Sequence, residues 1–153
     1  MTKTHFAVAH GMHHDKNWST ALDVATLSRI VMQKHEVFRT TVNTKHYSCF
    51  SKTMKHEYYW ENTNLLLWDP SKQYFGVKTG TTPTAGACLC VNFKSCCGSF
   101  DFLIVVLNSS SAEARFSETV KLAEWATTKI SRIRKIPYKP SLKRQLLKNV
   151  AHF

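Results

Sequence analysis

No apolar run in this sequence approaches the roughly 18 residues of a membrane-spanning helix, so none is expected. The N-terminal stretch has no apolar core of the signal-peptide kind, and His5, His10, His13 and His14 stand there instead. Nor is there an arginine before Arg29, which does not suit a transit peptide. Cysteine is too sparse and too odd in number for a disulfide framework: Cys49, Cys88, Cys90, Cys96 and Cys97. Their spacing matches no C-x-x-C pattern, so a zinc site shared with His10, His13 and His14 is conceivable but not expected. Buried, reduced thiols are the expectation, with no metal and no cofactor. Acidic residues are scarce, 10 against 21 Lys and Arg, and the formal net charge is +11. A strongly basic chain wants an acidic neighbour: anionic lipid, nucleic acid or an acidic protein surface.

What is present reads as a folded chain. Hydrophobic content of 43% and aromatic content of 12% argue against disorder, and 153 residues suit one domain. Residues 1–18 read as a loop with surface histidines. Ser19 or Thr20 is a good N-cap, with Asp23 in the first turn, and Leu22, Ala25, Leu27, Ile30 and Val31 form an apolar stripe to about Gln33. A short helical turn over Glu36–Arg39 leads into the β-branched run Thr40-Thr41-Val42, expected to be extended. Between 43 and 60, Tyr47, Phe50, Tyr58, Tyr59 and Trp60 interleave with Lys45, Lys52 and Lys55. Such interleaving can hold single-stranded nucleic acid. The plainer reading is preferred, an irregular loop whose rings cover the core, because no RNA-binding motif accompanies it. Strands are expected near 75–81, 86–94 and 100–108, then a helix from about Ala112 to Lys129 with Phe116, Val120, Ala123 and Ile130 inward, joined by Leu122 and Trp125.

The segment from Ser131 differs in composition. Lys129, Arg132, Arg134, Lys135, Lys139, Lys143, Arg144 and Lys148 are basic, and no acidic residue follows Glu124. Pro137 and Pro140 interrupt it before Ser141–Lys148, a candidate basic amphipathic helix. The chain is therefore divided at 1–130, a folded unit, and 131–153, a basic tail. Arg132, Arg134, Lys135, Lys143, Arg144 and Lys148 are candidates for contact with a partner, anionic lipid or RNA among them.

The stretch Gly76-Val77-Lys78-Thr79-Gly80-Thr81-Thr82 carries the strongest chemical signal. Lys-Thr-Gly on a strand is an element of penicillin-recognising serine enzymes. Trp60-Glu61-Asn62-Thr63-Asn64-Leu65-Leu66-Leu67-Trp68 before it resembles the approach to that strand in D-alanyl-D-alanine carboxypeptidases. Thr4-His5-Phe6, His10-Gly11-Met12 and Ser19-Thr20-Ala21-Leu22-Asp23 upstream, and Leu103–Leu107, Arg115 and Trp125 downstream, resemble the same family in the same order, over roughly 4–128. The resemblance implies an α/β (α+β) fold. It would be part of a penicillin-binding-protein or β-lactamase-like domain, with about three antiparallel strands, a C-terminal helix packed on the sheet and an N-terminal helix. It further implies that Lys78 and Thr79 hold a substrate's terminal carboxylate, that Gly80 lets the peptide lie against the strand, and that the Thr81 N–H is an oxyanion-hole donor.

No serine here has a lysine three residues later, and no Ser-x-Asn triplet occurs; in that family both precede the His10-Gly11 region. Without a nucleophile and an adjacent base, no acyl-enzyme chemistry is assignable to these residues. Three readings follow, of which the first is preferred and the second is the runner-up. The first is a catalytically incomplete relative, kept as a structural or interaction subunit of a larger assembly with protein partners completing the sheet. The second is half of a split enzyme whose nucleophile sits on another chain, and the third is a basic nucleic-acid-binding module. A truncated sequence would also explain the pattern. Members of the family are normally exported, so the missing signal peptide points to an intracellular site, a mitochondrion being one that suits a basic chain.

Overall fold

The computed structural model describes residues 1–134. The candidate helix at 141–148, together with Lys135, Lys143, Arg144 and Lys148, lies outside the described residues. Two helices come first, α1 (Ala21–Lys34) and α2 (Glu36–Asn43), then a two-stranded antiparallel hairpin, β1 (His46–Ser51) with β2 (His56–Glu61). A 3-10 turn at Leu65–Trp68 leads to a separate antiparallel sheet of β3 (Tyr74–Thr82), β4 (Gly86–Lys94) and β5 (Asp101–Ser109), in the order β3-β4-β5. The long helix α3 (Ala114–Arg134) closes the described chain.

Strand alternation explains why β4 is apolar on both faces. Leu89, Val91 and Phe93 point to one side, where they join Phe100, Ile104, Val106, Phe116 and Ala123 beneath α3. Cys90 points to the other and packs with Met32 and Val77, bordered by Val24, Phe38, Val42 and Val105. The sheet thus has helices on both faces: α3 on one, α1 and α2 on the other. Glycine is required at two places. A Cβ on Gly76, at φ +45°, would stand 2.7 Å from Val42 Cγ2, and one on Gly86, at φ +65°, 2.5 Å from Asn108 Oδ1.

Several expectations are corrected. Thr20 is the cap of α1, accepting from the Asp23 N–H, but the helix turns Val24, Ser28 and Met32 inward. Leu22, Leu27 and Ile30 of the expected stripe are exposed. Residues 40–42 are helical, because Phe38 and Val42 one turn apart pack under β3, which outweighs β-branched propensity. In α3 the expected Phe116 and Ala123 are buried with Val120 and Ile130 packed beside them, joined by Thr119 and Thr127, while Leu122 and Trp125 are exposed. Each threonine hydroxyl donates to the carbonyl four residues back, at 2.7 and 2.8 Å. Residues 46–61 are not an irregular loop covering the core. They are a regular hairpin whose Tyr47, Phe50, Tyr59 and Trp60 are 60, 62, 62 and 50% exposed. The sheet face opposite α3 is covered by α1 and α2.

Candidate functional site

The Lys-Thr-Gly triplet lies on β3, an edge strand of the three-stranded sheet. Its register is held from three sides. On the sheet side, Lys78 faces Cys90, Thr79 faces Leu89, Gly80 faces Cys88 and Thr81 faces Ala87. From the 3-10 turn, the buried Asn64 caps Leu66 N–H at 3.2 Å and donates to Gly76 O at 2.5 Å, while Thr63 Oγ1 meets Thr79 Oγ1 at 2.5 Å. From α2, Asn43 Oδ1 accepts the Gly76 N–H at 2.8 Å. The Asn62-Thr63-Asn64 run is therefore a clasp: Asn62 itself binds the carbonyls of Val42 and Thr44, both at 3.1 Å, tying the clasp to α2.

A fourth support is Arg115, in the first turn of α3. It is 7% exposed, and one guanidinium nitrogen donates to Thr81 Oγ1 at 3.1 Å, Gly80 O at 3.3 Å and Cys88 O at 3.4 Å. Among the described residues its Nε has no hydrogen-bond partner. Among the described residues the ion pairs are His13 with Asp15 and Lys94 with Asp101, so Arg115 brings a buried positive charge behind β3 with no carboxylate bonded to it. The nearest acidic influence is Glu113. Its carboxyl is held below the usual range chiefly by its own backbone N–H and the Ser111 hydroxyl, with the Arg115 charge a smaller cause.

The four residues singled out in the sequence divide by environment. Lys78, Gly80 and Thr81 are exposed, whereas Thr79 is buried with its hydroxyl on Thr63. Lys78 Nζ donates to the Thr79 carbonyl. Among the described residues a Cβ on Gly80 would meet nothing within 4 Å, so neither backbone conformation nor packing against them demands glycine there. At the far end of β3, His13 Nδ1 reaches Thr84 Oγ1 at 2.9 Å, so the N-terminal loop folds over the β3–β4 turn. A cleft of about 620 Å³ between α1, α2 and the sheet, lined by Arg29, Arg39 and Phe75 among others, is elsewhere: none of Lys78 to Thr81 lines it.

Sequence reading missed the roles of Thr63, Asn64 and Arg115. The first two had a signal, a polar Asn-Thr-Asn run before an apolar turn. Arg115 had a subtler one, since a cation in a helix's first turn opposes the helix dipole and needs a reason to be there. The cysteines do not gather. Cys90 is buried, its thiol pushed up by burial and donating to Ser28 Oγ at 3.3 Å, while Cys49, Cys96 and Cys97 are exposed. Among the described residues no group of three His, Cys, Asp or Glu could hold a metal ion. Arg132 and Arg134 occupy the exposed last turn of α3, so the helix runs through position 131 without a break. No described helix is long and apolar enough to cross a membrane.

An edge strand bearing Lys-Thr-Gly, with helices on both faces of its sheet, is similar to the strand element of penicillin-recognising serine peptidases. Comparison with known proteins agrees: residues 1–111 match the D-alanyl-D-alanine carboxypeptidase family model, and the chain belongs to that family. It is 32% identical over 122 residues to the D-alanyl-D-alanine carboxypeptidase DacD of Escherichia coli, covering 80% of this chain and 29% of that protein. It is 34% identical over 126 residues to the D-alanyl-D-alanine carboxypeptidase of a Streptomyces strain, covering 80% of this chain and 42% of the relative. The fold matches the crystal structure of the Streptomyces K15 DD-transpeptidase with a TM-score of 0.70 at 33% identity, over 82% of this chain and 48% of that one. The chain thus spans less than half the length of each of these relatives.

Proposed function

We propose that this chain supplies the peptide-holding half of a D-Ala-D-Ala carboxypeptidase-type site, which works when joined to a segment bearing the Ser-x-x-Lys nucleophile. The observation that carries it is Gly80. Its Cβ position is open space on an exposed strand edge, so the glycine serves something outside the described chain, and a peptide backbone laid along β3 is what that room fits. Around it, Lys78 and Arg115 offer two positive charges for a terminal carboxylate, one exposed and one buried, and the clasp at Thr63 and Asn64 keeps the strand rigid. Rigid, prepaid positioning of this kind is what a binding half contributes to a reaction. The nucleophile, its base and one oxyanion donor belong to the other half.

The test is a fluorescent-penicillin label applied to the natively purified protein, with mass spectrometry of the intact assembly. Label on a polypeptide carrying Ser-x-x-Lys, held to these residues, is the expected result. The absence of any label, with the chain bound among unrelated subunits, would overturn this reading. It would favour instead a structural or interaction subunit built on a carboxypeptidase fold. One observation supports that second reading: among the described residues the outer edge of β5 is unpaired, and an unpaired strand invites a partner.

A further inference from the structure

The β1–β2 hairpin stands apart from both cores, and its side chains are sorted by strand alternation into two unlike faces. Tyr47 lies opposite Trp60, and Cys49 opposite Tyr58, so Tyr47, Trp60 and Tyr58 share one face with His56. The ring centroids of Tyr47 and Trp60 are 5.8 Å apart, and those of Tyr58 and Trp60 are 5.6 Å apart at 13° between planes. Three rings thus run side by side in near-parallel planes. Both acidic residues of the hairpin, Glu57 and Glu61, fall on the opposite face. Lys52 and Lys55 occupy the turn between the strands, and Lys45 precedes β1.

Tyr47 and Trp60 are exposed and Tyr58 partly so, and apolar rings gathered on one outward face mark a surface that something covers. The chemistry around these rings selects the cover. A neutral sugar would use the rings but not the lysines, and an apolar protein patch would be repelled by neither charge nor exposure yet would gain nothing from three cations. A single-stranded nucleic acid uses both, bases on the rings and phosphates on the lysines. The formal net charge of +11 draws the same class of ligand from a distance.

We propose that the Tyr47–Trp60–Tyr58 face of the hairpin binds single-stranded nucleic acid, its rings stacking on bases while Lys52 and Lys55 meet the phosphates. This site is independent of β3 and stands whether or not the peptide-holding reading does.

The experiment is a titration of fluorescein-labelled dodecamers of deoxythymidine and of uridine with the full chain, read by anisotropy at several salt concentrations. Trp60→Ala should weaken binding by roughly 5- to 150-fold, the range of a lost base stack. Trp60→Phe should keep most of the affinity, and K52Q with K55Q should lower the log–log salt slope by about 1.4, at about 0.7 per phosphate contact on a single strand. Trp60 is half-exposed and outside the cores, and an unchanged thermal melt in W60A and W60F will show that lost binding is not lost folding. Equal affinity of W60A and the parent would overturn the proposal and leave any binding to other basic residues. So would equal displacement by heparin, which has charge but no bases, or a hairpin that takes neutral glycan in preference to the oligonucleotides.

Discussion

Two glycines on one strand make opposite demands, and the difference separates structure from function. Gly76→Ala should cost about 2–4 kcal/mol, from a left-handed backbone and overpacking on Val42, measured by chemical denaturation. Gly80→Ala should leave stability within about 1 kcal/mol of the parent, yet impair peptide or penicillin recognition in the completed site. Equal damage from the two would remove the case for a ligand at Gly80. Asp23 is a third informative residue. Its carboxyl is held below the ordinary 3.8 mainly by the Thr4 hydroxyl, at 2.7 Å, and also by the Lys3 N–H, at 2.9 Å. Because the folded value is depressed, the stabilisation is fully present above pH 3.8 and is lost as pH falls through the lower folded value. Asp23→Asn should flatten that acid limb and loosen the N-terminal loop, read as faster hydrogen exchange over residues 3–18. Cys97 behaves differently again. Hydrogen bonds to Ser95, and then to Ser99, bring its thiol down to about 7, so it should alkylate half-maximally near pH 7 in a peptide-mapped iodoacetamide series.

At the scale of elements, α3 and β4 carry the main core and the hairpin carries none of it. Leu89, almost wholly buried at the centre of β4, should cost about 2–5 kcal/mol as Leu89→Ala in a urea titration, whereas Trp125→Ala, on the outer side of α3, should change stability by less than about 0.5 kcal/mol. The contrast also tests the corrected face of the helix. Helical periodicity in the sequence located α3, but it put Leu122 and Trp125 in the core because hydrophobicity was the only guide to direction. The sheet decided otherwise. The helix approaches through Phe116, Thr119, Ala123 and Thr127, with Val120 and Ile130 beside them as expected and only Leu122 and Trp125 left outside. For α1 the reason is similar: Ser28 faces inward because it accepts the buried Cys90 thiol's hydrogen bond, a pairing 62 residues apart that no local pattern announces.

Among the described residues, apolar side chains outside the hairpin also face outward, among them Leu22, Leu27 and Ile30 on α1, Leu107 on the unpaired edge strand β5, and Trp125 and Ile133 on α3. These surfaces and the open β5 edge ask for cover from protein. The isolated chain should therefore self-associate at micromolar concentration in sedimentation velocity, and Leu107→Lys on β5 should shift it toward monomer without lowering its melting temperature by more than a few degrees. A chain that stays monomeric at high concentration would argue that these surfaces are tolerated as they stand.

The sequence by itself determined the strands of the main sheet to within a residue or so, the two long helices, the cap at Thr20 and the family. These rest on local rules: alternation, capping chemistry and the Lys-Thr-Gly motif with its flanks. It determined Lys78, Thr79, Gly80 and Thr81 as the residues to examine, because a motif is contiguous. Only the tertiary structure decided that α1 buries Ser28 and Met32 rather than its leucines, that residues 46–61 pair as an exposed hairpin, and that Thr63, Asn64 and Arg115 support β3. The supports of β3 join groups between 12 and 35 positions apart, and the inward face of α1 rests on a pairing 62 apart. Packing of that kind is settled by volume and hydrogen-bond satisfaction among distant partners, and neither quantity is written in any local stretch of chain.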